Sequence, residues 1–566
     1  MTEGNSELVI ALVAAVGTDV GMVADEIASE LSRYDFDSET FRLSVYLAEQ
    51  GDSDFRDLPF DESLWEGMTQ GDELRRRWER DDALALHAIS DIVATRDQAS
   101  EGKVEVAEGG DAELAGNLER FAFILRSLKT PDELQTLRTV YGPRLVVVGA
   151  YSPSDKRRKH LEDEIGASRK NSDQATWSHP PEELIERDES EGIIGGQALS
   201  DTFHRADFFI RAWTRDVVKT DLRRTLQIMF GDPFRTPTRD EFAQFQAAGA
   251  ALRSAELGRQ VGAAIAPEDG SVIAWGANEV PSYGGGSHWE VNDQLVAGNR
   301  DFEILGHDSN QKQFDALAER ISDEVGATLS DLAVQVGDKH EGTQEALDEL
   351  QSRVESRMKE DLRRGGLRDL TEFGRAVHAE MNALLDAARR GVSVAGATLY
   401  STTFPCHNCA RHIIGAGIVR VVFIEPYAKS KAGELHSDSI AIEVPSGDSA
   451  VQFEPFVGVA PRRYLEMFDA AARTRLGHLD RRAKDGSSQA LAEKDALPVF
   501  RDAGALLQPA LPAYRVKELL ALDHYNRLTG DGSERSPGEG GGQVGEVSRD
   551  QGDGDMDTTK EAEKDG

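Results

Sequence analysis

Short apolar runs alternate with helix-patterned stretches along the first part of the chain, and this alternation limits the folds available to it. Residues 7–16 form an apolar, β-branched run, followed by the turn GTDVG (17–21) and a helical period. Two later runs, RFAFILRSL and PRLVVVGAY, lie on either side of the helix-like TPDELQTLRTVYG. Such alternation is typical of a mostly parallel sheet that helices cover on both faces. We therefore predict an α/β domain over residues 1–231.

A second predicted domain covers residues 240–470, beyond the Pro- and Thr-rich segment GDPFRTPTRD. Its pattern predicts a helix over EFAQFQAAGAALRSAELGRQ, which ends at Gln260, then a hairpin and then a helix–strand–helix–strand series. An insertion over about 284–366 precedes this series and is expected to be a loop first and then a charged helix over 344–364. We expect a helical appendix over 471–528. Because residues 529–566 contain almost no apolar side chains, they are expected to form a disordered acidic tail.

Length and charge exclude several classes of protein. At 566 residues the chain is too long for a single hydrophobic core. The formal charge is −37, from 101 acidic and 64 basic residues. Such a surface repels polyanions, so we do not expect long nucleic acid as a substrate, although an acid-rich composition is also an adaptation to high salt. No apolar run is long enough to span a bilayer, and we expect a soluble, cytoplasmic protein without a membrane partner.

The only two cysteines of the chain, Cys406 and Cys409, lie three positions apart in the segment TTFPCHNCAR. A disulfide between two cysteines so close together cannot stabilise a fold of this size, so a disulfide framework is excluded. A metal site or a redox pair remains. A four-cysteine zinc site would need a second C-x-x-C, and the chain has none. Upstream, VHAEMNALL supplies His378 and Glu380. The pattern H-x-E followed by P-C-x-x-C is the known signature of zinc deaminases that act on nucleobases.

The residue types fit that chemistry. A zinc ion bound by His378, Cys406 and Cys409 keeps a fourth position open for water, whose pKa it lowers to about 7. Glu380 would carry protons from this water to the ring nitrogen and to the departing ammonia. Side chains two positions apart on a helix point in different directions, so we predict that the helix end itself faces the metal. A redox C-x-x-C is the alternative, and it leaves H-x-E unexplained.

The motif segments VHAEMNALL and TTFPCHNCARHIIGAGIVRVVF together resemble the deoxycytidylate deaminase family. RNA adenosine deaminases and riboflavin-pathway deaminases carry Glu immediately before Pro-Cys, whereas this chain has Phe404 there, which we include among the candidate substrate-binding residues. The segments LRSAELGRQVGAAI and GANEVP are similar to that family's opening helix, hairpin and asparagine turn. By this likeness Asn278 contacts the sugar of the nucleotide; on sequence alone it is equally a turn former.

A wider resemblance covers about residues 7–470, including GQALSDTFHRADFFI and EPYAKSKAGELHSDSI. It is to a two-domain bacterial and archaeal family that joins a P-loop kinase-like domain to a deoxycytidylate deaminase domain with a cytidine-deaminase-like α/β/α fold. Some members are anti-phage dCTP deaminases. The resemblance implies conversion of dCTP, and of dCMP as a second substrate, to the uracil nucleotide, and a homo-oligomer. Two alternatives stay open, namely dCMP deamination for thymidylate supply and a nucleotide-sensing module without turnover.

An unregulated dCTP deaminase would harm its own host, so we expect restraint by a bound nucleotide, an RNA or a protein. The first domain is one place for such control, although its P-loop pattern is degenerate. With Gly21 as the second glycine, Met22 replaces the lysine and Val23 the hydroxyl residue. Kinase catalysis is therefore not expected, and a regulatory nucleotide site and a structural relic are equal alternatives. The candidate nucleotide-binding residues are Gly17, Thr18, Asp19 and Gly21.

Several histidines are weaker candidates. His288, His307 and Asp308 lie in the insertion and are candidates for a second metal site. Single polar residues in Gly-rich loops, however, are usually polar loop residues that bind no metal. His407 and His412 flank Cys409. We expect His407 near the substrate and His412 at the surface.

Overall fold

The computed structural model contains two six-stranded sheets; five strands of the first sheet precede the second sheet in the chain, and its sixth, a two-residue strand, follows it. The structure describes residues 7–50, 55–100, 118–170, 174, 177–189, 199–232, 234–289, 306–337, 352–354, 356–358, 373–426, 430–442, 449–469, 493–495, 498 and 513–529. The predicted acidic tail, most of the helical appendix and most of the charged stretch 344–364 lie outside these residues.

The first sheet has the order β2-β3-β1-β4-β5-β12. Its strands are β1 (Leu8–Val13), β2 (Asp37–Arg42), β3 (Phe121–Arg126), β4 (Leu145–Tyr151), β5 (Phe208–Arg211) and β12 (Gly458–Val459). The first five are parallel, and β12 is antiparallel to β5. Every residue of β1 is buried because successive side chains point into two cores on opposite faces. The predicted mixed α/β class is confirmed, while the P-loop kinase likeness of this part stays a prediction.

Nine helices accompany this sheet in the described residues up to 232. They are α1 (Val20–Leu31), α2 (Leu43–Gln50), α3 (Phe60–Trp78), α4 (Ala83–Ser100), α5 (Pro131–Tyr141), α6 (Ser154–Arg169), α7 (Pro181–Glu189), α8 (Leu199–Phe203) and α9 (Arg215–Met229). The helix predicted from TPDELQTLRTVYG is α5. Thr130 and Glu133 form a capping box at its start, which satisfies backbone N–H groups that the helix leaves free.

The second sheet has the order β7-β6-β8-β9-β11-β10. Its strands are β6 (Gly262–Ala266), β7 (Ala274–Ala277), β8 (Thr398–Thr403), β9 (Arg420–Glu425), β10 (Ile440–Ile442) and β11 (Val451–Pro455). The predicted hairpin is the antiparallel pair β6–β7, and β8, β9, β11 and β10 are parallel to one another. The remaining helices are α10 (Arg239–Ala251), α11 (Ser309–Gly337), α12 (Ala379–Arg390), α13 (His407–Gly415), α14 (Ala432–Leu435), α15 (Tyr464–Phe468) and α16 (Ala513–Thr529).

Two elements differ from their predicted extents. The helix predicted to run on to Gln260 ends at Ala251, since the following residues contact the turn after β7 instead. There the Ser254 hydroxyl donates to the Asn278 carbonyl at 2.7 Å. The insertion also begins its helical part earlier than predicted, because α11 starts at Ser309 with the Asp308 carboxylate accepting from the Asn310 amide at 2.7 Å.

The buried carboxylate of Glu241 joins the two sheets. Its side chain is fully buried and accepts hydrogen bonds from both Arg224 guanidinium NH groups, at 3.0 and 2.7 Å. It also accepts from the Thr238 amide at 2.7 Å, as the second half of the capping box of α10, and from the Val459 amide at 2.9 Å. Helix α9, helix α10 and strand β12 are therefore fixed to one another by a single carboxylate.

We expect Glu241→Gln to destabilise the protein by about 2–3 kcal/mol, because an amide cannot accept all four hydrogen bonds and leaves the Arg224 charge poorly compensated. The midpoint of thermal unfolding should fall by several degrees. Glu434→Gln removes the same charge from an exposed position of α14 and should leave the midpoint unchanged. Equal midpoints for the two variants would show that the hydrogen bonds of Glu241 contribute little to the stability of the protein.

No helix in the described part of the chain is both long and apolar enough to cross a membrane.

Candidate metal centre and active site

Two helices begin at the same point of the second sheet. His378 is the N-cap residue of α12, and Cys406, three residues after the end of β8, is the N-cap residue of α13. The first turn of a helix carries free amide N–H groups and a partial positive charge, which favours thiolates and carboxylates nearby. The end of α12 thus faces the cluster, as the spacing of His378 and Glu380 requires.

Three potential ligand atoms converge between these helix ends. The Cys406 and Cys409 sulfurs lie 3.3 and 3.4 Å from His378 Nδ1. The three ligand atoms all lie within 4.8 Å of one another, and in the described residues no other group of three or more His, Cys, Asp or Glu does so. Two thiols and one imidazole form a donor set that suits zinc, with a tetrahedral position left for a further ligand. The residues present therefore fit the ion.

Glu380 lies directly beside this donor set and is 4% exposed. One carboxylate oxygen accepts a hydrogen bond from the Cys409 sulfur at 3.2 Å, and the other accepts from the Ser401 hydroxyl at 3.2 Å. A buried carboxylate in contact with the metal ligands can exchange protons with a molecule bound at the open coordination position. This is the arrangement that the sequence pattern leads us to expect.

Burial and hydrogen bonding shift the acidity of all four groups. Hydrogen bonds from Cys409 and His378 lower the pKa of Cys406 to about 4, whereas the same contact with Cys406 raises the pKa of Cys409. Hydrogen bonding to Cys406 raises the pKa of His378, and burial raises the pKa of the Glu380 carboxyl. The contacts with Cys409 and His378 thus favour a thiolate at Cys406, which is the form that binds metal.

Close packing of α12 on the hairpin holds the His378 side of the site in place. A Cβ atom at Gly276 would lie 2.4 Å from the Ala379 carbonyl oxygen, so only glycine allows this approach. The Asn382 amide donates to the carbonyls of Ala277 and Val377, at 2.6 and 3.1 Å. The two contacts fix the chain on either side of His378, at Ala379 and at Val377.

Sequence reasoning missed Asn382 and Ser401, which position the motif residues. Ser401 is fully buried in β8, and its carbonyl accepts from the Gln244 side chain at 2.9 Å. Ser401 follows the apolar Leu399 by two positions and so shares its buried face of the strand, which was the available signal because a buried hydroxyl needs a partner. Asn382 follows Glu380 by two positions, and its position inside the motif helix was the corresponding signal.

The structure gives Asn278 and Phe404 local partners, and their roles in substrate binding stay predictions. Asn278 accepts from the Val261 amide at 2.7 Å and donates to the Arg259 carbonyl at 2.8 Å, so it stabilises the turn after β7. The Phe404 ring packs against Phe423 with centroids 4.9 Å apart. Its side chain lies mainly in the core. In the chain, Phe404 precedes Cys406 by two residues.

The weaker candidates do not join the cluster. Asp308 caps α11, and neither it nor His288 or His307 belongs to a metal-ligand group in the described part of the chain. His412 lies at the surface, where its Nδ1 is 2.7 Å from the Asn408 carbonyl oxygen. Nδ1 of His407 is buried without a hydrogen-bond partner among the described residues.

The four candidate residues of the first domain lie far along the chain from this cluster and line a separate cavity. Gly17, Thr18 and Asp19 lie in the turn between β1 and α1, and Gly21 lies in the first turn of α1. Gly17 has φ +83°, and a Cβ atom there would lie 2.7 Å from the Arg157 carbonyl oxygen. Glycine is therefore required at this position for structural reasons alone.

Comparison with known proteins agrees with this geometry. Residues 237–425 match the model of the cytidine and deoxycytidylate deaminase zinc-binding region. That region carries the sequence pattern of a zinc deaminase. The deoxycytidylate deaminases of Enterobacteria phages T2 and T4 are each 51% identical over 57 residues, which are 10% of this chain and 30% of the phage protein. ComE operon protein 2 of Bacillus subtilis is 47% identical over 53 residues, 9% of this chain and 28% of that protein.

Among solved structures, the dCMP deaminase of cyanophage S-TIM5 in its apo form is similar over 39% of this chain and 100% of its own length. The sequence identity is 16% and the TM-score 0.20. The same enzyme in complex with dCMP and dUMP gives 17% identity and a TM-score of 0.21. Similarity at this level carries no argument about the chain. The phage T2 and T4 proteins are more similar in sequence to this chain, but the matched segment spans less than a third of their length.

We expect Cys409→Ser to lose bound zinc, because a serine hydroxyl is a far weaker ligand than a thiolate. Metal analysis of the purified protein should give about one zinc ion per chain for the wild type and a small fraction of that for the variant. His412→Asn changes another potential ligand on the same helix and should retain the metal. Retention of full zinc by Cys409→Ser would refute the proposed ligand set.

Proposed function

We propose that the chain is a zinc-dependent deaminase of free deoxycytidine nucleotides, which converts cytosine to uracil and releases ammonia. The observation that carries this proposal is the buried carboxylate of Glu380 in contact with Cys409, beside His378 and Cys406. A redox C-x-x-C pair gives no reason for a buried acid and an imidazole at this position. The match of residues 237–425 to a deaminase zinc-binding region supports the same reaction.

Glu380 is the proton carrier in this proposal. A zinc ion held by His378, Cys406 and Cys409 supplies, when bound, the Lewis acid that makes water nucleophilic at neutral pH. Glu380 takes a proton from the water and delivers it to the ring nitrogen beside the amino-bearing carbon. It then takes the second proton, from the hydroxyl that has added to the ring carbon, and passes it to the departing amino group. The water oxygen replaces that group, so the products are the uracil nucleotide and ammonia.

A free nucleotide is a better substrate than a polymer for a chain of this charge. The formal charge of −37 repels long polyanions, whereas a single nucleotide can be held by a few local cations. The phage relatives are named deoxycytidylate deaminases, which favours dCMP. The wider two-domain resemblance favours dCTP and removal of this nucleotide during phage infection. We place dCTP first and dCMP for thymidylate supply second.

Glu380→Gln should lower the deamination rate by at least about 100-fold, because the amide cannot carry a proton. Zinc content and the midpoint of thermal unfolding should stay close to the wild-type values, since Gln can still accept from Ser401. Glu434→Gln, exposed on α14, is the matched control and should retain full activity. Undiminished turnover in Glu380→Gln would remove Glu380 from the mechanism.

The proposal is tested by ammonia release and product identity, with zinc-loaded full-length protein offered dCTP, dCMP, CTP and cytidine separately. Uracil product mainly from dCTP would support removal of dCTP. Product from dCMP alone would support thymidylate supply, the second candidate. No turnover of any of the four by the zinc-bound protein would contradict the enzymatic proposal and favour a nucleotide-sensing module.

A further inference from the structure

A large cavity opens in the first domain, at the ends of three parallel strands. Its volume is about 710 Å³, within the range typical of small-molecule sites. Its lining includes residues 14–21 after β1 and residues 42–45 at the end of β2. Arg126, Ser127 and Lys129 line it at the end of β3. Ligands of open α/β sheets bind in this position, beyond the carboxyl ends of the strands.

Two arginines lie next to each other at this edge. Arg42 ends β2 and Arg126 ends β3, and the two residues are register partners across the parallel pair. In the part of the chain that the structure describes, neither guanidinium has a hydrogen-bond or ion-pair partner. Burial and the charge of Arg42 lower the pKa of Arg126, and the smaller opposing effects of the Asp19 and Asp25 charges do not reverse this. Adjacent like charges destabilise a sheet, and an anion between them would remove this repulsion.

Thr18 provides a second, independent sign of a ligand. Its residue is 7% exposed, and the hydroxyl has no hydrogen-bond partner among the described residues. A buried hydroxyl without a partner costs about 1–3 kcal/mol. Thr18 lines the same cavity as the two arginines, and the Arg126 guanidinium lies against the turn at Gly21.

The groups that usually bind phosphate at a turn between a strand and a helix already have other partners here. The Asp19 carboxylate accepts from the Met22 amide at 2.9 Å and places a negative charge at the start of α1. The Thr18 amide donates to the Ala15 carbonyl at 3.1 Å. Lys129, which also lines the cavity, lies 2.7 Å from the Asp188 carboxylate. An anion would therefore be held by side chains at the ends of β2 and β3, without the lysine that phosphoryl transfer needs.

Apolar side chains form a further part of the cavity wall. They belong to the segments between β2 and β3 and are Leu43, Leu47, Phe55, Leu58, Phe60, Leu64, Met68 and Leu84. An anion alone would not need this wall. A ligand with one phosphorylated end and one flat apolar part matches both halves of the lining.

We propose that the cavity binds a nucleoside phosphate without turnover, with its phosphate group between Arg42 and Arg126 and its base against the apolar wall around Phe55. The site is separate from the zinc cluster and does not depend on the proposed deamination.

The first experiment measures binding of ATP and dTTP to the zinc-loaded full-length protein by calorimetry. Neither nucleotide contains cytosine, so the result is independent of deaminase activity. We expect Arg126→Gln to weaken the binding at least tenfold. Lys219→Gln removes the same charge from an exposed position of α9 outside the cavity and should leave the affinity unchanged. No measurable binding of either nucleotide, or equal affinity in all three proteins, would overturn the proposal.

A second variant separates binding from folding. Thr18→Val removes the buried hydroxyl with little change of volume and should raise the unfolding midpoint of the protein without ligand, while it weakens nucleotide binding. Loss of binding therefore could not be ascribed to unfolding. Inorganic tripolyphosphate and adenosine are the remaining probes, and both should bind more weakly than ATP. Tripolyphosphate that binds as tightly as ATP would show an adventitious polyanion site and contradict the nucleoside part of the proposal.

Discussion

The carboxylate of Glu241 is one point at which the two sheets of this protein are fixed to each other, beside an apolar core that includes side chains of both sheets. It accepts from Arg224 of α9, from the start of its own helix and from the Val459 amide of β12. A carboxylate without these partners would be costly to bury, so all of them must be in place together. The position of α10, and with it the strand β6 on which α10 packs, therefore depends on the first domain. The zinc cluster lies on the far side of that strand's hairpin.

Small residues allow the helices of the second domain to approach its sheet. Gly262 of β6 accommodates the Ala247 carbonyl of α10, and Gly276 of β7 accommodates the Ala379 carbonyl of α12. An added Cβ would lie 2.0 Å from the first carbonyl oxygen and 2.4 Å from the second. The second contact places the start of α12 against the hairpin, one residue after His378. Packing thus determines where the metal ligands and Glu380 meet.

Local patterns predicted the elements, whereas contacts distant in sequence could not be predicted. Apolar runs identified β1, β3 and β4, and the cysteine spacing with H-x-E identified the zinc donor set. Strand β12 has only two residues, Gly458 and Val459, which is too short to give a periodicity. The pairing of Arg42 with Arg126 depends on the register of strands more than eighty residues apart. Ser401 could be noticed as polar, but its contact with Glu380 depends on how two elements pack.

Strand β12 also has a consequence for synthesis on the ribosome. The outer edge of the first sheet, at Phe208 and Phe209, pairs with residues that follow the whole second sheet in the chain. About 250 residues must therefore emerge after β5 before its edge is covered. During that interval the exposed edge is open to pairing with other strands, including those of neighbouring nascent chains. The first sheet is thus completed late, although most of its strands are made early.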